Sequence, residues 1–227
     1  MRIISVRRGF ASDHSSTSYE FLAVDKPLGK KERSEVSRLS SRVRPTGRRA
    51  KFIYHAEGYD IPSGWENLMA QYYDVMYRED YGWWTLAMAF NANPGQYEAL
   101  LPYEFTGADD LGICITKNGQ RIILSIYCVI ETDILDSDYN DYDHEEDDEG
   151  EEDKNDNDSD TLVTDDDLLN LLTQVRRQIT DGDYRALYAV WEKYGDDNEN
   201  PPPKPKSRES GDKIVDTFKG MLSRIEC

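Results

Sequence analysis

The sequence predicts an α+β fold, and three observations support that class. Over residues 1–132, short β-rich runs alternate with amphipathic stretches, which favours one mixed sheet with helices packed against it. Residues 133–167 hold 19 carboxylates and one lysine, so this segment carries the whole formal charge of -18. Residues 168–227 are neutral again, with ten basic and ten acidic side chains, and their apolar residues recur at a helical period.

These changes of composition divide the chain into five segments. We predict an α+β domain at 1–132, a disordered acidic linker at 133–167, a helical hairpin at 168–195, a Pro-rich linker at 196–209 and a C-terminal helix at 210–227. Disorder is expected in the acidic linker because so polar a stretch cannot bury enough apolar surface to fold.

Local patterns predict the elements of the first segment. In chain order they are a strand at 2–8, a loop at 9–19, a strand at 19–24, a helix that begins at Pro27, a strand at 51–55, a helix at 64–77, a strand at 83–90, a short helix at 94–101 and a hairpin at 111–130. The helix at 64–77 is predicted from apolar spacing of i, i+3, i+4 and i+7, shown by Trp65, Leu68, Met69, Tyr72 and Met76. The hairpin is predicted from Asn118-Gly119, a preferred turn pair between two β-rich runs.

The segments after the acidic linker read as helices. Two apolar stripes flank the turn Asp181-Gly182-Asp183, which predicts a helical hairpin. The first stripe is Leu168, Leu171, Leu172, Val175 and Ile179, and the second is Tyr184, Leu187, Tyr188, Trp191 and Tyr194. A last helix, capped by Ser210, has its own stripe of Ile214, Phe218, Met221, Leu222 and Ile225.

The three cysteines, Cys114, Cys128 and Cys227, point to a reducing compartment. No two of them have C-x-x-C spacing, and a disulfide framework needs more cysteines in a chain of this length. The N-terminus has arginines on both sides of a very short apolar run, which does not match a signal peptide. No run approaches the roughly 20 apolar residues of a membrane helix. We therefore expect a cytoplasmic protein that does not associate with membranes.

A hydroxyl-rich stretch near the start resembles a known motif. Residues 8–19 read Arg-Gly-Phe-Ala-Ser-Asp-His-Ser-Ser-Thr-Ser-Tyr. This resembles a Ser-rich motif of many uncharacterised bacterial and phage proteins, in which a basic residue, Gly-Phe, a small residue, Ser-Asn, a serine run and an aromatic residue follow one another. The departures are Asp13 for Asn, His14 inside the run and Thr17 for Ser. The resemblance implies a bacterial, phage or mobile-element origin and no activity.

Two further resemblances are shorter or less specific. Residues 19–28, with Leu39 to Arg42 and parts of 68–74, resemble a second group of uncharacterised bacterial proteins. Residues 182–203, with Gly-Asp-Tyr-Arg-Ala-Leu-Tyr, Trp191 and a run of three prolines, resemble a segment of bacterial SWIM zinc-finger family proteins. The zinc-ligand pattern C-x-C…C-x-H is missing here, so the resemblance implies a multi-protein context and no zinc.

The same hydroxyl-rich loop is the strongest candidate for catalysis. His14 stands beside Ser15, Ser16, Thr17 and Ser18, a combination that suggests a nucleophile and a base. Sequence neighbours rarely form a catalytic pair, however, and no G-x-S-x-G elbow is present. We favour a turn-forming loop, with phosphate binding by its hydroxyls and by Arg7 and Arg8 left open.

No metal site or cofactor is predicted. The histidines at 14, 55 and 144 are far apart in sequence, and a Walker loop and a G-x-G-x-x-G fingerprint are absent. Asp156, Asp158 and Asp160 have the spacing of the first three calcium ligands of an EF-hand. The sixth position is Thr161 instead of Gly and the twelfth is Asp167 instead of Glu, so a folded calcium loop is not expected. Cys114 and Cys128 are expected to be buried free cysteines.

A basic region occupies the first quarter of the chain. Residues 1–51 carry 13 basic and five acidic side chains. Such a patch is the footprint of a phosphate-binding surface, or else a solvated face that the protein's own acidic segment neutralises, and we favour the second interpretation. The candidate nucleic-acid or phosphate-binding residues are Arg7, Arg8, Arg38, Arg42, Arg44, Arg48, Arg49 and Lys51.

Three hypotheses of function follow. The first is a non-enzymatic interaction protein whose acidic tether shields the basic patch, with Tyr184, Tyr188 and Trp191 as exposed anchors for a protein partner. The second is a nucleic-acid-associated factor that its acidic segment autoinhibits. The third is an enzyme that uses the Ser/His loop. We favour the first, with no cofactor and with the partner's identity unknown.

Overall fold

A computed structural model describes residues 16–55, 60–130, 166–195, 200–206 and 211–222. Within them, seven strands form one sheet in the order β2-β1-β3-β4-β7-β6-β5. The strands are β1 (Thr17–Leu22), β2 (Arg49–Tyr54), β3 (Val75–Asp80), β4 (Trp83–Asn91), β5 (Phe105–Thr106), β6 (Gly112–Asn118) and β7 (Arg121–Cys128). The helices are α1 (Lys30–Ser37), α2 (Trp65–Gln71), α3 (Pro94–Leu100), α4 (Asp167–Thr180), α5 (Arg185–Tyr194) and α6 (Asp212–Met221). Single 3-10 turns span Leu101–Tyr103 and Ala108–Asp110.

The predicted α+β class is confirmed, but the sheet is antiparallel throughout its described pairs and not mixed. The connections through α1 and α2 explain the difference. β2 and β3 run in the same direction, yet β1 lies between them and pairs with both. The strand–helix–strand pattern therefore produces no parallel pair.

The predicted helix at 64–77 is wrong in its second half. Helix α2 ends at Gln71, and residues from Val75 onwards form β3, the strand between β1 and β4. Met76 fits the helical period by coincidence. In the sheet its side chain joins the cluster beneath α1 and α2, while the neighbouring Tyr77 faces the opposite cluster. This alternation across the sheet identifies a strand that is buried on both faces.

Each face of the sheet has its own hydrophobic core. Helices α1 and α2 cover one face, where Tyr19, Phe21 and Phe52 are buried. Helices α4, α5 and α6 cover the other face, and the predicted stripe of α4 is buried along its whole length. Burial of one such large apolar side chain contributes about 1.5–3 kcal/mol. The helical hairpin thus packs on the sheet of its own chain.

Most other predicted elements appear within a few residues of their expected positions. Helix α4 begins after Asp166, whose carboxylate accepts the Leu169 amide, and Asn93 caps α3 in the same way. In the β6–β7 hairpin, Asn118 pairs with Arg121, so the turn residues are Gly119 and Gln120, with φ of 64° at Gly119. Among the described residues, no helix is long and apolar enough to cross a membrane.

Several predictions fall outside the described residues. They are the strand at 2–8, most of the loop at 9–19, the acidic linker up to residue 165, the Ser210 cap, Ile225 and Cys227. The part of the loop that is described differs from the prediction, because β1 already begins at Thr17. There the Thr17 hydroxyl donates to Asp80 Oδ1 at 2.6 Å, on the neighbouring strand β3.

Candidate functional site

The basic region that the sequence singled out lies at one edge of the sheet. Helix α1 ends at Ser37, a loop follows, and β2 then forms the edge strand beside β1. Thr46 shapes the end of this loop, since its hydroxyl oxygen accepts the amides of Arg48 and Arg49 at 3.2 and 2.9 Å. The loop is held to the body of the protein by the Leu28 amide, which donates to the Gly47 carbonyl at 2.6 Å.

Three of the predicted basic residues are used inside the fold. The Arg48 guanidinium donates to the carbonyls of Ala23 and Val24 at 3.1 and 3.0 Å. Lys51 Nζ lies 4.0 Å from Glu20 Oε1, a carboxylate that is fully buried. Arg49 Nη2 lies 3.9 Å from Asp166 Oδ2. All three side chains are half-buried, so their charges stabilise the sheet edge.

The other three described basic residues point outwards. Arg38, Arg42 and Arg44 are exposed and lie within seven residues of one another. We call them the arginine loop. Arg44 Nη1 donates to the carbonyls of Ser41 and Val43, at 2.9 and 3.1 Å, which orients its guanidinium. Within the part of the chain that the structure describes, none of the three forms an ion pair with a carboxylate. Arg7 and Arg8 lie outside the described residues.

Asp166 joins the acidic segment to this edge of the sheet. It directly follows residue 165, where the undescribed acidic stretch ends, and its side chain is fully buried. One carboxylate oxygen caps α4 by accepting the Leu169 amide at 3.0 Å, and the other accepts the Tyr77 hydroxyl at 2.5 Å. Together with the neighbouring Arg49, these contacts place the C-terminal end of the acidic segment beside β2, the strand that follows the arginine loop.

A buried charge network, which the sequence did not indicate, ties α4 to the sheet. Asp74 Oδ1 accepts from Arg121 at 2.7 Å and lies 3.6 Å from Arg176. Asp74 Oδ2 accepts the amides of Val24 and Asp25 at 2.7 and 2.8 Å. Arg176 also donates to the Ala89 carbonyl at 2.8 Å. A charged residue beside the apolar stripe of α4 was the one signal in the sequence, and nothing marked Asp74.

A polar cleft opens over this network. Its volume is about 230 Å³, and it is lined by Asp25, Lys26, Pro27, Leu28, Glu32, Gln71, Tyr72, Asp74, Asn91 and Arg121. The groups on its floor bind one another: Asp74 accepts three hydrogen bonds and forms an ion pair with Arg176. Arg121 also donates to the carbonyls of Met69 and Tyr73. At the rim, the Tyr72 hydroxyl donates to Glu35 at 2.7 Å, which raises the pKa of this tyrosine to about 12. The cleft is therefore best explained as part of the structural network.

Two of the three aromatic residues predicted to bind a partner, Tyr184 and Tyr188, pack on the core of their own chain. Tyr184, Tyr188 and Trp191 are half-buried and not exposed as we expected. Tyr188 and Trp191 pack against each other with ring centroids 5.6 Å apart, and Tyr184 packs against Tyr103 at 5.3 Å. Their stripe was correctly placed on one helix face, but the sheet of the same chain covers much of that face.

The hydroxyl-rich motif is described only at its end. His14 and Ser15 lie outside the described residues, whereas Ser18 is fully buried in β1. The Ser18 side chain faces away from the helix α1 side of the sheet, because the alternate residues Tyr19 and Phe21 fill the core beneath α1 and α2. A catalytic role for this motif stays a prediction.

The cysteines show no sign of a metal site in the described residues. Cys128 is buried, and desolvation raises the pKa of its thiol far above the ordinary value. Cys114 is half-buried and pairs with Ser125 across the hairpin, so the two cysteines are not neighbours. Within the described ranges, no group of three or more His, Cys, Asp or Glu side chains could hold a metal ion. Of the residues in the calcium-like spacing, only Asp167 is described.

Comparison with known proteins adds no relative to this picture. No family model, no curated protein and no solved structure matches the chain. The resemblances noted for the hydroxyl-rich motif and for residues 182–203 therefore stay predictions. The arrangement with the clearest capacity to bind a ligand is the arginine loop, which leads into β2, where Arg49 lies near Asp166.

Proposed function

We propose that this chain is a non-enzymatic binding protein whose arginine loop docks acidic segments of a protein partner, and that its own acidic segment, residues 133–165, shields the loop. One observation supports this proposal above the others. Asp166, the residue that follows the acidic segment, is held by Tyr77 and lies 3.9 Å from Arg49 at the same edge of the sheet. The C-terminal end of the acidic segment is therefore anchored beside β2, the strand that begins five residues after Arg44.

The charges favour an intramolecular contact of this kind. The acidic segment with Asp166 and Asp167 accounts for the entire formal charge of -18. Charges on a solvated surface act over a Debye length of about 8 Å at physiological ionic strength. The arginine loop therefore attracts an acidic chain only when that chain lies within about this distance of it. A tether that is anchored beside its target reaches an effective concentration on the order of millimolar. Weak ion pairs between the acidic segment and the arginine loop are then sufficient to shield the loop.

The exposed arginines also favour a second candidate, a nucleic-acid-associated factor that the acidic segment autoinhibits. Arginine is well suited to phosphate because its planar guanidinium donates two parallel hydrogen bonds. Arg38 and Arg42 make no side-chain hydrogen bond within the described part of the chain, so all their donors are open to a ligand. A phosphate backbone and an acidic peptide would compete for the same surface.

Deletion of residues 136–160 distinguishes these candidates. We would measure binding of the parent and the deletion variant to DNA, to RNA and to a synthetic peptide of residues 136–160, at several ionic strengths. The proposal expects the peptide to bind the deletion variant, to bind the parent much more weakly, and to lose affinity steeply with salt. Nucleic acid that binds tightly only after the deletion would favour the second candidate. If none of the ligands binds the deletion variant, both are wrong.

A charge-matched control shows whether the arginine loop is the surface involved. In the deletion variant, R38A, R42A and R44A together should abolish most of the peptide affinity. Removal of three exposed cations elsewhere, by R177A, K117A and K213A, changes the net charge equally and should have a small effect. Equal losses in the two triple variants would mean that the peptide senses only the net charge, which contradicts a defined docking surface.

A further inference from the structure

A short Pro-rich segment is bound to the surface with a regular pattern of burial. Residues 200–206 read Asn-Pro-Pro-Pro-Lys-Pro-Lys. Pro202 is buried and Pro205 is half-buried, whereas the other residues of the segment are exposed. A polyproline II helix has three residues per turn, so positions three apart lie on one ridge. The burial of Pro202 and Pro205 is what such a helix shows when one ridge faces a groove.

The groove that receives this segment is aromatic and has a directed hydrogen-bond donor. The Tyr103 hydroxyl donates to the Pro203 carbonyl at 2.7 Å, while the ring of Tyr103 is 3 % exposed. The Tyr184 ring packs against Tyr103 with a centroid distance of 5.3 Å and a tilt of 54°. Burial, with smaller contributions from Tyr184, Tyr188 and Asp183, raises the pKa of Tyr103 to about 12, so the hydroxyl keeps its proton at neutral pH.

These features match the general chemistry of proline-rich recognition. A polyproline II helix has no internal hydrogen bonds, so its carbonyls are free to accept from a ligand-binding protein. Aromatic rings offer flat apolar surface to proline rings, and a tyrosine hydroxyl at their edge pairs with a carbonyl. Such a ligand is rigid before it binds, and the entropy lost on binding is small. Tyr103 and Tyr184 supply both the rings and the donor.

We propose that the Tyr103–Tyr184 groove is a binding site for proline-rich peptides with Pro-x-x-Pro spacing, and that residues 201–206 are its resident ligand. The groove is a different surface from the arginine loop, so this inference goes beyond the proposed function and does not depend on it. In the described residues, the resident segment accepts one hydrogen bond from Tyr103 and has two prolines that are withdrawn from solvent, and a peptide of a partner can offer the same groups. The tether masks the site, because it keeps the resident segment at an effective concentration on the order of millimolar.

The test weakens the binding of the resident segment and supplies a free peptide that competes for the site. In the full chain, P202A and P205A together remove the two prolines of the segment that are not exposed. A synthetic peptide of residues 200–206 is then titrated into parent and variant by calorimetry. We expect the peptide to bind the double variant at least about tenfold more tightly than the parent, because the tethered competitor is weakened. A peptide with alanine at positions 202 and 205 should not bind.

Two matched variants identify the contacts. P201A with P203A removes the same number of prolines from exposed positions, so peptide binding should stay as weak as in the parent. Y103F in the P202A/P205A background removes only the donor to the carbonyl, and affinity should fall by roughly two- to tenfold. An unchanged affinity in Y103F would contradict the assigned role of the hydroxyl.

Folding must be verified before a negative result is interpreted. Circular dichroism and thermal unfolding of the double variant show whether the sheet and helices persist. A folded double variant that shows no saturable binding of the peptide would overturn the proposal, and the segment would then be a structural strap. If the double variant unfolds, an NMR titration of the parent with millimolar peptide tests instead whether the site binds the peptide. Shifts at Tyr103 and Tyr184 support the site, and their absence contradicts it.

Discussion

Asp25 binds the guanidinium of Arg176 through both carboxylate oxygens, at 2.8 Å from Nη1 and 2.5 Å from Nη2. The pair joins the loop after β1 to helix α4, across 151 residues of sequence. Asp25 is exposed and Arg176 is buried, so one end of this ion pair is in water and the other is inside the protein. The inner end also contacts Asp74 and the Ala89 carbonyl, which makes Arg176 the centre of the network beneath α4.

Loss of Arg176 should destabilise the protein strongly. R176A leaves Asp74 with one arginine fewer in a buried site and leaves the Ala89 carbonyl without its donor. Breaking a buried charge network from one side costs about 3 kcal/mol, and we expect that loss in the free energy of unfolding by chemical denaturation. R177A removes the exposed arginine next to it and should change stability by less than about 0.5 kcal/mol. Similar losses in both variants would mean that the helix, and not the network, is affected.

The carboxylate of Asp166 should contribute to stability through two hydrogen bonds. D166A removes the cap of α4 and leaves the buried Tyr77 hydroxyl without this acceptor. Loss of a cap costs about 1 kcal/mol and an unsatisfied buried donor about as much again, so we expect about 2 kcal/mol from urea denaturation. The control D216A removes an exposed aspartate of α6 that caps no helix. A loss below about 0.5 kcal/mol in D166A would contradict the role assigned to its contacts.

The sequence predicted elements with strong local patterns and missed those that depend on long-range pairing. The stripe of α4 and the β6–β7 hairpin are local; the stripe appears where it was expected, and the turn lies one residue later than the predicted Asn118-Gly119 pair. Strand β3 was missed because Met76 also fits a helical period, and only its neighbours β1 and β4 determine its state. Propensity is a weak guide where tertiary pairing decides.

The candidate site was predictable in composition but not in arrangement. All six described basic residues were identified from charge, yet the sequence could not tell Arg48, which donates to two backbone carbonyls, from Arg42, which is exposed. The carboxylates at 165–167 were expected to favour the start of the helix through their charge, but nothing in the sequence showed that Asp166 is buried and caps α4 by a hydrogen bond. The Pro-rich segment was predicted to be a linker, since nothing near it in sequence reveals Tyr103 about a hundred residues earlier.

Alkaline pH should weaken the fold partly through Tyr103. Its pKa is raised from the ordinary 10.0 to about 12 by burial and, less strongly, by Tyr184. Between these values the folded state keeps the proton while the unfolded state loses it, so stability falls as pH rises from about 10 to about 12 and is unaffected below that range. Other buried tyrosines add to the fall. The parent should therefore lose more stability than Y103F over this interval, in denaturation curves at each pH, and equal slopes would contradict this contribution of Tyr103.

Replacement of Tyr81 should stabilise the β3–β4 hairpin. Asp80 pairs with Trp83, so Tyr81 and Gly82 are the two turn residues, with φ of 53° and 85°. Two successive residues with positive φ favour Asn-Gly, and a bulky side chain at the first position is strained. Tyr81 is also exposed and loses little burial on replacement. We expect Y81N to raise the free energy of unfolding by about 1 kcal/mol, measured by chemical denaturation. Y81F keeps the strained φ and should leave stability unchanged, so an equal gain in Y81F would show that the phenol hydroxyl, and not the backbone, is responsible.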